Sequence, residues 1–261
     1  MYYKESLRLA ASEGRGYDMA KGFDCATPLT DSTAAAFKQD GYEFVARYLV
    51  PSSWKALTTK EVASICNVGL QIVSVFETTA DRALGGRTAG LNDGATALAL
   101  AAQMGQPEGS TIYFAVDFDA TPAQMSTVIA YIKGASDATP GYNTGVYGSY
   151  AVVEAVYSAG ACSRFWQTYA WSGGKKSAVA NIYQYLNDIV VNGVGIDLNE
   201  SYGQEGWWST VPANYMLSAD DANKLIGFMK AGYAAINDAA GKEDFHRLAN
   251  ELRKASGQQE E

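Results

Sequence analysis

The chain has 261 residues, room for one barrel-sized domain and a small extension. Its 48% hydrophobic and 18% charged residues exclude a disordered chain, and a net charge of -8 argues against nucleic acid as the main partner. Three cysteines without close spacing (Cys25, Cys66, Cys162) give no disulfide framework and no metal motif, and a lone histidine, His246 in the tail, excludes a Ser–His triad in the main domain.

Residues 1–21 contain no apolar signal core and read as an N-terminal extension without a classical secretory peptide. No segment is long and apolar enough to span a bilayer. From residue 22 short β-branched or aromatic runs alternate with helical patterns, the rhythm of βα units on a parallel sheet. Strands are expected near 22–26, 44–49, 71–77, 111–118, 144–148, 164–170, 181–185 and 194–198. Helices fit near 31–40, 59–68, 90–104, 121–137 and 150–159, with Thr58 placed to cap the second and Thr121-Pro122 to open the fourth. The rhythm then breaks. WSGGKKSAV is too short and Gly-rich for a good helix, and Asn192-Gly193 in LNDIVVNGVG is a hairpin signal. The pattern is an α/β TIM-like barrel over residues 22–212, five βα units followed by three strands with little helix between them.

Beyond Trp207-Trp208 the character changes. Ser218 is placed to cap a helix with Leu225, Ile226, Met229, Tyr233 and Ile236 on one face, ended by Gly241. A second amphipathic segment carries Phe245, Leu248 and Leu252. Residues 213–261 therefore read as a helical appendage that packs on the barrel or on a second copy as a homo-oligomer.

Acidic residues close several apolar strands: Asp24 in GFDCAT, Glu77 in QIVSVFE, Asp117 and Asp119 in TIYFAVDFD, Asp197 in GVGIDLNES. Carboxylates at strand ends gather at the C-terminal rim of a parallel barrel, where barrel enzymes do their chemistry. Strand alternation puts Tyr113, Ala115, Asp117 and Asp119 on the inner face, and Asp24 and Asp197 point inward the same way. If the sheet closes, Asp24 and Asp197 are neighbours. Carboxylates so crowded cannot all ionise, which sets an acid beside a base as glycosidic cleavage requires. The other reading is that these acids bind Arg47 or backbone amides and only close the barrel. Tyr48, Trp54, Tyr147, Tyr169 and Trp171 supply flat surfaces for sugar rings, and Gln167 and Gln184 are polar residues inside apolar strands, placed to fix an acid or touch substrate. Carboxylate acid catalysis needs no metal or cofactor, and none is expected.

KGFDCATPLT, FVARYLVP, IVSVFET, IYFAVDFDA, TGVYGSY, WQTYAWSGG and IYQYLND…GVGIDLNES together resemble the glycoside-hydrolase-like barrel family catalogued as domain of unknown function 1906. That family is similar in turn to the glycoside hydrolase family 25 lysozymes. The resemblance runs from about residue 20 to 208. It implies a barrel of five βα units and three β-strands, action on peptidoglycan at the bacterial cell wall or outside the cell, and Asp119 as proton donor. Asp117 would stabilise positive charge or orient an N-acetyl group, with Asp24 and Asp197 in support. The lysozymes carry Glu where this chain has Asp119, so Glu77 on the neighbouring strand is the alternative donor. A degenerate barrel that binds glycan without cutting it is the alternative function.

Overall fold

A computed structural model of the chain describes residues 19–210 and 218–259. The expected N-terminal extension lies outside the described residues as far as residue 18. The chain divides into two compact units, Met1–Val211 and Pro212–Glu261.

The first unit is a closed eight-stranded barrel, each strand bonded to its sequence neighbour and β1 bonded to β8. Its strands are β1 (Ala20–Asp24), β2 (Phe44–Tyr48), β3 (Gln71–Phe76), β4 (Thr111–Ala115), β5 (Asn143–Gly148), β6 (Arg164–Thr168), β7 (Ile182–Val191) and β8 (Val194–Ser201). Strands β1 to β7 run parallel, and β8 is antiparallel to both of its neighbours. Helices α1 (Asp31–Gln39), α2 (Thr59–Asn67), α3 (Gly86–Met104), α4 (Met125–Asp137) and α5 (Tyr150–Ser158) follow the first five strands, and no helix lies between the last three. The TIM-like barrel of five βα units and three strands is the architecture observed.

Period-two alternation explains the layers. Phe23, Val45, Ile72, Ile112, Phe114, Val116 and Val146 face outward and pack with Phe37, Ile65, Val128 and Ile132 of the helices. The inward residues, Phe44, Ala46, Val73, Val75, Tyr113, Ala115, Tyr147 and Trp166, form a separate inner core. Tyr113 and Tyr147 meet Trp166 edge-on, with centroids 5.8 and 4.8 Å away, so an aromatic column fills the barrel below its mouth. The barrel is thus a packed core with a cavity at one end.

Local signals set most helix starts. Thr30 and Thr58 accept hydrogen bonds from Thr33 N and Glu61 N, capping α1 and α2. The fourth helix starts later than expected, at Met125, because residues 121–124 form a separate turn in which Gln124 Oε1 accepts from Thr121 N. Helices α3 and α4 approach through glycine. A Cβ on Gly90 would lie 1.9 Å from the Tyr131 carbonyl oxygen, and one on Gly134 would lie 2.4 Å from that of Arg87. Alanine is the better helix former by about 1 kcal/mol. Gly90→Ala should nevertheless lower unfolding stability by about 1–3 kcal/mol in urea titration, because backbone here must move.

The second unit contains α6 (Ala219–Ala235) and α7 (Ala239–Ala255). Ser218 caps α6 as expected, accepting from Asp221 N. Gly241 does not end that helix. The chain turns extended at Ile236, and Asp238 caps α7 by accepting from Ala240 N and Gly241 N, which leaves Gly241 inside the first turn of α7. No helix among the described residues is long and apolar enough to cross a membrane.

Candidate active site

The C-terminal ends of the parallel strands and the antiparallel β8 surround a cavity of about 140 Å³. Its lining is Asp24, Tyr48, Val75, Glu77, Asp117, Tyr147, Trp166, Gln184, Asn187 and Asp197. Four carboxylates from β1, the ends of β3 and β4, and β8 therefore share one small space.

Asp24 is the most tightly held. The β1–β8 ladder pairs its Cα with that of Asp197. Its Oδ2 accepts from Asn199 Nδ2 at 2.7 Å and from Gln184 Nε2 at 2.8 Å. Both amides are oriented from behind. The indole N–H of Trp166, which can only donate, bonds to Asn199 Oδ1 at 2.8 Å and so turns Nδ2 toward Asp24. The hydroxyls of Tyr147 and Thr168 donate to Gln184 Oε1 at 2.9 and 2.7 Å, which turns Nε2 toward Asp24 and Asp197. Despite these two bonds, burial and the charge of Asp197 push the Asp24 carboxyl up to about 7. Asp24 is thus the member of the group that keeps a proton near neutrality.

The other three carboxyls are also raised, each chiefly by burial. Glu77 is ion-paired with Lys55, whose Nζ lies 3.2 Å from Oε1 and 3.9 Å from the Tyr48 ring centroid. The ammonium opposes the rise at Glu77 and Asp117. Asp197 Oδ1 accepts from Asp188 N at 2.8 Å.

The structure brings Asp24, Glu77, Asp117, Asp197, Tyr48, Tyr147 and Gln184 together as expected of one mouth, and keeps the other expected residues out of the cavity lining. Asp119 is exposed, four residues past the end of β4 at Ala115, where regular alternation no longer dictates direction. Arg47 is fully buried on the outer face of β2, not at the mouth. Its Nε bonds to Glu61 Oε1 at 2.6 Å, while its other nitrogens bond to Glu61 Oε2 and to the carbonyls of Cys25, Ala26 and Lys55. Arg47 ties the loops after β1 and β2 to α2, and so holds the backbone of Lys55. Gln167 is also fully buried; it donates to Lys175 O at 2.8 Å and accepts from Ser177 N at 2.7 Å, fixing the loop after β6. Trp54, Tyr169 and Trp171 are exposed by 70%, 43% and 46% in rim loops. Trp171 sits at φ 54, a left-handed conformation that is uncommon for such a side chain.

Lys55, Asn187, Asn199 and Glu61 were not among the expected site residues. Lys55 lies in a loop without periodicity, and Asn199 carried a signal that was available, two residues beyond Asp197 on the same strand face.

A closed barrel of this strand order with carboxylates at its C-terminal mouth defines a glycoside-hydrolase-like barrel protein. The chain belongs to the Rv2525c-like, glycoside hydrolase-like domain family, whose model matches residues 35–255. It is 31% identical over 158 residues to YbfG of Bacillus subtilis, covering 54% of this chain but only 22% of that protein. It is 28% identical over 164 residues to the Mycobacterium tuberculosis protein named "Putative peptidoglycan hydrolase Rv2525c", covering 59% of this chain and 68% of that one. The crystal structure of that Tat-secreted protein superposes with a TM-score of 0.65 at 23% identity, over 74% of this chain and all of the other. The modular autolysin LytC of Streptococcus pneumoniae shares the fold, with a TM-score of 0.54 at 13% identity over 73% of this chain and 47% of that chain.

Proposed function

We propose that this protein hydrolyses glycosidic bonds in cell-wall glycan, with peptidoglycan as the substrate class. The carrying observation is the convergence of four carboxylates in one cavity, one of them with its ionisation pushed up to about 7. Glycosidic cleavage needs a carboxylic acid to protonate the leaving oxygen and a carboxylate to meet the positive charge that develops on the sugar. Asp24 supplies the proton. Asp117, with no side-chain hydrogen bond to a described residue, is the carboxylate that faces the sugar. Lys55 pairs with Glu77 and opposes its upward shift, and Asp197 adds the negative field that raises Asp24. The exposed rings of Trp54, Tyr169 and Trp171 offer packing surface to a glycan too long for the cavity. Family membership and the name of the mycobacterial relative support the same substrate class.

The test is release of new reducing ends from purified peptidoglycan. Asp117→Asn should lower the rate about 10²- to 10³-fold, the range for losing a group that stabilises charge developing in the transition state. Asp119→Asn, outside the cavity, should keep most of the wild-type rate. Equal losses in both variants would move the acid to Asp119. A second reading is glycan binding without cleavage on the exposed rim rings of Trp54, Tyr169 and Trp171, since the cavity of about 140 Å³ is below the roughly 300–1,000 Å³ of common ligand pockets. Retention on peptidoglycan with no reducing ends from the wild type would select it.

A further inference from the structure

Strand β7 is not a regular strand. Gln184 pairs with Asn199, Leu186 with Leu198 and Ile189 with Ile196. From Gln184 to Leu186 the strand advances two residues while β8 moves one; from Leu186 to Ile189 it advances three while β8 moves two. Each step leaves one extra residue on β7, which is a β-bulge. An unbroken strand would send Asn187 to the face opposite Gln184. The first bulge reverses the phase, so Gln184 and Asn187 both line the cavity while Leu186 is exposed. The second bulge holds Asp188 at φ 59, and the N–H of Asp188 is the donor that anchors Asp197. Non-glycine residues in that region carry backbone strain.

The strained turn delivers a side-chain oxygen with no hydrogen-bond partner among the described residues. Asn187 Oδ1 is buried and accepts no hydrogen bond. An unsatisfied buried acceptor is costly to a folded protein, and fixed structure that tolerates one at a cavity wall points to a partner from outside. Its neighbours narrow the chemistry. The other polar groups of the lining are mostly acceptors, the carboxylates of Glu77, Asp117 and Asp197 among them. A ligand that satisfies this wall must present hydrogen-bond donors.

We infer that Asn187 is a specificity-determining residue that accepts a hydrogen bond from a sugar donor, either a ring hydroxyl or the N–H of a 2-acetamido group. This rests on the proposed glycan reading of the same cavity, but it concerns binding and not the chemical step. It also gives the bulge a purpose, since the same irregularity sets both the substrate-facing amide and the anchor of Asp197.

The experiment measures binding by calorimetry, using the 261-residue wild type, Asn187→Ala and Asn187→Leu. The probes are a chitin oligosaccharide, which carries acetamido groups, and a cello-oligosaccharide, which carries hydroxyls alone. Loss of one hydrogen bond should weaken binding about tenfold. Weakening with the chitin probe alone assigns the acetamido N–H; weakening with both assigns a hydroxyl. Thermal unfolding separates these outcomes from damage: removing an unsatisfied acceptor should leave the midpoint of Asn187→Leu equal to or above the wild type. Unchanged affinity in both variants, or a wild type that binds neither probe, overturns the inference. Reducing-end release is read in parallel. Binding that depends on Asn187 without turnover would reject the hydrolase proposal and leave this one standing.

Discussion

Asp24→Asn should make the barrel more stable at pH 8 and remove the proposed hydrolytic activity. The Asp24 carboxyl stands at about 7 in the folded protein against an ordinary value of 3.8. Between those values the folded state holds a proton that the unfolded chain has released. The wild type therefore has this contribution in full below about pH 3.8 and loses it as pH rises through about 7. Each unit of difference is worth about 1.4 kcal/mol, so the loss approaches about 4 kcal/mol above neutrality. Glu77, Asp117 and Asp197 are raised in the same direction and steepen the fall. Asparagine cannot ionise, so the advantage of the variant should grow from pH 4 to pH 8 and then level off. Urea unfolding of both proteins across that range measures it. Parallel stability curves would show that Asp24 ionises as an ordinary carboxyl and would remove the acid from the proposed mechanism.

Glu61→Ala should cost about 3–5 kcal/mol, the usual penalty for stranding a buried charge. Arg47 is fully buried and Glu61 nearly so, and the carboxylate meets both Nε and Nη2. Glu61 Oε1 also accepts from Leu29 N at 2.8 Å, a bond that holds the segment after β1. Replacing both charges, as in Arg47→Met with Glu61→Leu, should cost less than Glu61→Ala alone, because no unpaired ion remains. Urea unfolding of the single and double variants tests this, and equal losses would show the pair to be solvated. The proposed activity should fall as well, since Arg47 Nη2 holds the Lys55 carbonyl at 3.2 Å and Lys55 pairs with Glu77.

The barrel could be read from the chain because its signals are local. Alternation in IYFAVDF separates the two faces of β4, Thr58 caps α2, and Asn192-Gly193 turns β7 into β8 with both residues at positive φ. Closure then follows, and with it the pairing of Asp24 with Asp197. What the sequence hides is whatever breaks the period. Asp119 lies past the end of its strand, so counting by twos carries it to the wrong place. Arg47 resembles a rim cation, but it is one residue from inward-facing Ala46 and therefore faces the helices. Asn187 is displaced by an extra residue that only the partner strand reveals.

The bond between Asn199 and Asp24 joins residues 175 positions apart. Contacts of such long range form against a large loop-closure entropy and belong to the slow part of folding. On the ribosome, β1 through β7 emerge while the gap beside β1 still lacks its last strand. The proton-holding environment of Asp24 needs burial and the charge of Asp197, which lies on β8. A chain stalled before β8 would hold Asp24 beside an open gap and without the Asp197 charge, so the acid matures as the ring is completed.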